Sequence, residues 1–234
     1  MIEIVAIFFI AILLRSIFGF GDALIAMPLL SLVLGIKVAA PLFALCALSA
    51  AFTLMVTNWH NIDFKPALQL FFSTLFGIPL GVLLIQIMPE KFVLIGLGLF
   101  LITLGSSQLL SIKLPKPDET IWVYCFGFVA GILGSAYNVN GAAIVSYATL
   151  CQWAPEKTRA TLQGYFFPAG LMIVASHALS GLLTLEVLRL YIWVIPAILI
   201  ATVLGNKIQQ RMSTQRFERL LFVLLIILGF RLLV

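Results

Sequence analysis

The sequence predicts an all-α polytopic membrane protein of about eight transmembrane helices. Three observations predict it. Of 234 residues, 62% are hydrophobic and 10% are charged, against about 45–50% apolar and about 25% charged in a soluble domain. The apolar residues gather in long runs, not in the alternating segments of about ten residues that build an outer-membrane barrel. Two of those runs are too long for one straight crossing and are broken near their middles. So little polar surface cannot cover a globule in water. That excludes a soluble enzyme, a disordered chain and a disulfide scaffold.

The first stretch, 2–35, opens at Ile2-Glu3-Ile4 with no basic leader and no small-residue cleavage site. It reads as a span and not as a removed signal. About 20 residues cross the hydrocarbon core, so this stretch is too long, and Gly19-Phe20-Gly21-Asp22 interrupts it. The stretches 38–57, 66–88 and 91–112 each have the length of one span. The fifth, 120–152, is again too long and breaks at Gly134-Ser135-Ala136-Tyr137-Asn138-Val139-Asn140-Gly141. The stretches 160–181, 187–206 and 216–234 are single spans. Glycine, asparagine and serine leave a helix readily, so the breaks at 19–22 and 134–141 predict broken or re-entrant helices.

The two odd segments lie 119 residues apart, the mark of a duplication. Asp22-Ala23-Leu24-Ile25 aligns with Gly141-Ala142-Ala143-Ile144, and Ile78-Pro79 with Ile195-Pro196. Gly105 and Gly229 close the fourth and eighth stretches. The expected units are residues 1–114 and 119–234, two repeats of four spans. Lys207, Arg211, Arg216 and Arg219 make the densest basic cluster, which places that loop in the cytoplasm. If each broken segment crosses once, eight cations fall inside and five outside, both termini face outward, and the repeats are parallel. If the broken segments are re-entrant hairpins, the repeats are inverted. The net charge of +5 is scattered over loops and is no nucleic-acid footprint. Cys46, Cys125 and Cys151 form no metal or redox spacing and read as small core residues.

Breaks at matching places in two halves point to a transport site. Unwound backbone in hydrocarbon costs several kcal/mol per unpaired group, so a break persists only where protein, water or substrate satisfies it. The helix after each break aims its free N–H groups and positive dipole end at the midplane, which favours an anion. Backbone at Gly19, Gly21 and Ala23 in one half, and at Asn138, Asn140 and Gly141 in the other, would hold it. The plainer reading is that the glycines only allow close helix contact. Asp22 and Asn140 stand where helix caps belong. Asp22 is also a proton-coupling candidate, because a carboxylate at membrane depth is costly and a proton relieves that cost. Arg15 lies about 20 Å along the first helix. It would pair with Asp22, seven residues on, or with an anionic substrate. Gln163, beside Tyr165 and Pro168, suits a cavity lining. Tyr137, Ser176 and His177 are weaker candidates, and Arg159 reads as a cytoplasmic anchor. There is no phosphate-binding loop, no metal spacing and no nucleophile-base set at membrane depth. Neither a cofactor nor an enzymatic activity is expected. The partners expected are a small anion and the lipid bilayer, with a homo-oligomer left open.

The segment Gly19-Phe20-Gly21-Asp22-Ala23-Leu24-Ile25-Ala26-Met27-Pro28-Leu29-Leu30 resembles the glycine-rich, Pro-Leu-Leu opening of the sulfite exporter TauE/SafE family. Asn138-Val139-Asn140-Gly141-Ala142 is similar to its second-half counterpart. The resemblance extends over nearly the whole chain. It implies a transporter of the bacterial inner membrane for sulfite, sulfoacetate or related small sulfur anions. Asp22 and Ala23 depart from the Gly-Gly usual there and add a negative charge beside the anion site. That departure implies either an anion other than sulfite itself or a cycle in which Asp22 is protonated. The expected function is therefore secondary transport of a small anion. The alternatives are an uncoupled anion channel and a non-transporting membrane subunit.

Overall fold

In the computed structural model the structure describes residues 2–18, 21–58, 64–110, 119–209 and 215–233, and among them it is helical throughout. The helices are α1 (Ile2–Phe18), α2 (Asp22–Leu34), α3 (Ile36–Asn58), α4 (Phe64–Ile87), α5 (Glu90–Leu109), α6 (Glu119–Tyr137), α7 (Asn140–Leu150), α8 (Pro155–Leu179), α9 (Leu185–Gln209) and α10 (Gln215–Leu233). Each single-span stretch of the sequence is one helix, within a few residues. Each overlong stretch is two. Five helices are long and apolar enough to cross a bilayer, namely α3, α4, α5, α8 and α9; α2, α6 and α10 supply shorter apolar segments. This is a multi-pass membrane protein. Its outer face is correspondingly apolar, with Phe76 and Trp193 76% and 67% exposed, an arrangement water would not tolerate and lipid does.

Both broken segments are re-entrant hairpins. Phe126 lies on α6, well before its end at Tyr137, and Tyr147 lies two turns into α7. Their ring centroids are nevertheless 5.6 Å apart, so α7 runs back alongside α6. The α1–α2 pair does the same from the opposite end of the bundle. Val5 and Phe9 of α1 share a groove with Trp193 near the start of α9, while α2 ends at Gly35, beside the start of α5. There the Glu90 carboxylate accepts the Ile36 N–H at 2.5 Å. Gln86 donates to the Ser180 carbonyl at 2.8 Å at that same end.

Glycine sets the close crossings. α4 and α6 run side by side in the same direction, and a Cβ on Gly77 would overlap the Phe128 carbonyl. Thr74 donates to the Gly127 carbonyl at 2.9 Å, Ser135 to that of Ile78 at 2.9 Å, and Ser73 to that of Tyr124. α1 and α9 also run in the same direction, with Ser16 seated on Gly205. α5 and α10 cross antiparallel, where a Cβ on Gly98 would lie 2.8 Å from the Gly229 carbonyl. α3 and α8 cross antiparallel too, with Phe52 and Phe167 5.7 Å apart. Small residues at such seams are what brings membrane helices close enough for dispersion to hold them.

Buried side chains form two large clusters and a small third one of Ala44, Ile78 and Ile173. One gathers α1, α2, α3, α5, α9 and α10, with the end of α4 and the α6–α7 tip entering it. The other gathers α4, α6, α7 and α8. Cys46 and Cys151 are core residues as expected, but Cys125 is exposed on the outer face. α6 turns it away from the α4 seam that Gly127 and Gly131 occupy, toward lipid.

Candidate functional site

The two hairpin tips meet at mid-height of α3 and α8 and enclose a pocket of about 30 Å³. Its walls are Arg15 and Gly21–Leu24 from the first hairpin and Asn138–Ala142 from the second. Ala44, Ala47 and Leu48 of α3 and Phe166, Gly170 and Ile173 of α8 complete it. Seven sequence-predicted residues therefore meet here: Arg15, Gly21, Asp22, Ala23, Asn138, Asn140 and Gly141. Gly19 lies outside the described residues. Gln163 is on α8 one turn before Phe166, with its side chain outside the described part.

The first tip is built around one ion pair. Gly21 has φ 99°, a left-handed conformation that glycine adopts at no steric cost, and it turns the chain into α2. Gly21, not Asp22, is the cap residue, and no side chain caps the helix. The Asp22 carboxylate points to α1 instead, where its Oδ2 accepts from Arg15 Nη1 at 3.0 Å. The side chains are 4% and 9% exposed. Arg15 also stacks over the Phe166 ring, 4.6 Å from its centroid, a cation–π contact that holds the guanidinium against α8. Among the described residues its Nε–H has no partner. One guanidinium donor is thus without a partner among the described residues at this wall.

The second tip is more self-contained. Asn140 begins α7, and its Oδ1 accepts the Gly141 N–H at 2.9 Å, while the Ala142 N–H bonds the Val139 carbonyl at 3.1 Å. The Asn140 side chain also reaches the Tyr165 hydroxyl. That hydroxyl lies 2.9 Å from Thr74 Oγ1, whose proton goes to Gly127. The chain of bonds runs from the pocket into the α4–α6 seam and fixes the carboxamide. Asn138, at φ 57°, donates to the Ala40 carbonyl of α3 at 2.9 Å, and Tyr137 donates to Val93 of α5 at 3.0 Å. These two residues bolt the tip to the first cluster more than they face the pocket. His177 is glue of the plain kind, buried with Nε2 2.8 Å from the Ser135 carbonyl. No group of three or more His, Cys, Asp or Glu that could hold a metal occurs among the described residues.

Sequence reasoning missed Phe166, Gly170, Leu48 and Ala47. They are apolar or small residues inside apolar runs, and nothing local marks them as pocket walls. Tyr165 stood beside Gln163, but its partner Thr74 is 91 residues away and could not be read.

A multi-pass helical bundle with two hairpin tips facing a buried, charge-bearing pocket is the build of a membrane transporter. The family model described as Sulfite exporter TauE/SafE matches residues 4–232, and the chain belongs to that family. No curated protein and no solved structure matches it. The family is one of membrane transporters for sulfite or related anions.

Proposed function

We propose that this chain is a proton-coupled carrier of a small sulfur oxyanion in the bacterial inner membrane. The observation that carries the reading is the buried Arg15–Asp22 pair beside the start of α2, which no side chain caps. With Asp22 ionised, the guanidinium is held by its own carboxylate and the pocket carries no net side-chain charge. A proton on Asp22 weakens that hold. Arg15 then turns its donors to the anion, and the α2 N–H groups complete the binding. Anion and proton enter together and leave together. Asp22→Asn tests this in liposomes with labelled sulfite at two pH values. Wild-type uptake is expected to rise several-fold as external pH falls by two units, and the variant to transport at a rate independent of pH. A variant with the wild-type pH dependence would refute the role of Asp22.

Alternating access to the pocket follows from a duplicated architecture, residues 1–114 and 119–234, with the second unit inverted. Several contacts support this reading. The first helix of each unit lies along the fourth of the other, α1 on α9 and α6 on α4. Ser16 and Leu13 face Gly205 as Ser135 and Ile132 face Gly81. The third helices cross each other antiparallel, and so do the fifth, as elements on a two-fold axis in the membrane plane do. The hairpin topology also bears on the charge bias. Among the described residues, Lys65, Lys157, Arg159, Lys207, Arg216 and Arg219 fall at one end of the bundle. Lys37, Lys91, Arg189 and Arg231 fall at the other. Six against four favours a cytoplasmic first end, with the start of α1 and the end of α10 outside. Alkaline phosphatase fused after Val234 should then be active; an inactive fusion with a folded carrier would reverse the orientation.

A further inference from the structure

The pocket's size is set at the α3–α8 crossing, and one residue there is small without a packing reason. A Cβ on Gly170 would meet Leu48 alone, 3.4 Å from its Cδ1 and 3.9 Å from its Cα. That is ordinary van der Waals contact. The seam glycines differ, since a Cβ on Gly77 or Gly131 would run into backbone of the opposing helix. The Gly170 backbone is ordinary right-handed helix within α8, so no turn demands glycine either. Inside a helix glycine is less favourable than alanine. The fold would therefore accept alanine at 170, and would gain from it. What glycine preserves is space, since Gly170 lines the pocket that also holds the Arg15–Asp22 pair, together with Ala44 and Ala47.

That space is small. The pocket's volume of about 30 Å³ is far below the about 300–1,000 Å³ of a drug-sized ligand site. This suits an anion of a few heavy atoms with its charge on one compact oxygen cluster. It does not suit a sulfonate carrying a carbon arm, because the α3 and α8 walls, Ala44, Ala47, Leu48, Phe166, Gly170 and Ile173, offer no polar side chain to meet the arm's far end.

We propose that Gly170 is the size-selecting residue of the carrier, admitting a compact oxyanion of the sulfite class and rejecting organosulfonates. The proposal rests on the carrier reading above. The test is uptake of labelled sulfite into liposomes, with unlabelled sulfite, sulfoacetate and taurine as competitors. For the wild type, sulfite should compete, and the two organosulfonates should not at tenfold higher concentration. Gly170→Ala should unfold at the wild-type temperature or above while losing at least tenfold in sulfite kcat/KM. Ala47→Gly, on the facing helix, should widen the pocket and let sulfoacetate compete. Sulfite transport by Gly170→Ala at the wild-type rate would overturn the assignment. So would equal competition by sulfoacetate in the wild type, or an Ala47→Gly variant with unaltered selectivity. A wild type that moves no sulfite at either pH would overturn the carrier reading itself, and this assignment with it.

Discussion

Arg15→Ala is expected to abolish sulfite uptake and to lower the unfolding temperature in the same variant. The two losses have different causes. Uptake fails because the only cation lining the pocket among the described residues is gone, and with it the guanidinium donors. Stability falls because Asp22 stays buried with no positive partner, its side chain 9% exposed. Removing one member of a buried pair costs about 3–5 kcal/mol, most of it the penalty on the charge left behind. The double variant Arg15→Ala/Asp22→Asn separates the causes. It removes the orphaned charge, so thermal unfolding in detergent should recover most of the lost stability, while uptake stays at background. If the double variant regained uptake, the helix end alone would suffice for the anion and Arg15 would be structural. The Phe166 ring, stacked on the guanidinium, would in that case be the reason for its burial.

Gly77→Val is expected to prevent folding. The seam between α4 and α6 leaves no room at this position. A Cβ on Gly77 would overlap the Phe128 carbonyl and lie 2.9 Å from the Ile132 nitrogen and 3.0 Å from the Gly131 Cα. All three are backbone atoms, so no side-chain rotation can relieve the contact. Valine adds two methyl groups and forces the helices apart along a crossing that also carries the Ser73, Thr74 and Ser135 hydrogen bonds. Overpacking alone costs about 1–3 kcal/mol, and the parted hydrogen bonds add about 1 kcal/mol each. Together they consume much of the stability of an ordinary domain. Fluorescence-detected gel filtration of a tagged protein should show aggregate and no symmetric peak. A sharp wild-type peak for Gly77→Val would mean that the seam is looser than the glycines indicate.

The helices were legible because hydropathy and length speak directly to lipid. The breaks were legible because glycine, asparagine and serine at 19–22 and 134–141 cannot extend a helix in hydrocarbon without a reason. What hydropathy lacks is direction. A broken apolar run reads the same whether the chain continues across or turns back, so four spans per unit and three spans plus a hairpin fit one pattern. Only a contact such as Phe126 with Tyr147 decides between them. The Arg15–Asp22 pairing was anticipated for another reason than the one that makes it. Seven residues apart suggests one helix face, yet the two stand on different helices and meet because the chain reverses at Gly21. Gly170 was invisible because a missing side chain in an apolar run has no signature until its neighbours are known.

The two hairpins are alike in shape and unlike in charge. α2 begins with Asp22, whereas α7 begins with Asn140 and Gly141, and no other carboxylate lines the pocket among the described residues. Under the proton coupling proposed above, the stoichiometry has a ceiling for that reason. One ionisable acid can accompany each anion with one proton and no more. A gradient of one pH unit, worth about 1.4 kcal/mol, can then drive at most a tenfold accumulation of the anion, apart from any work done by the membrane potential. A carrier built this way cannot hold a steep gradient. It is suited to taking up an anion that the cell consumes as it enters.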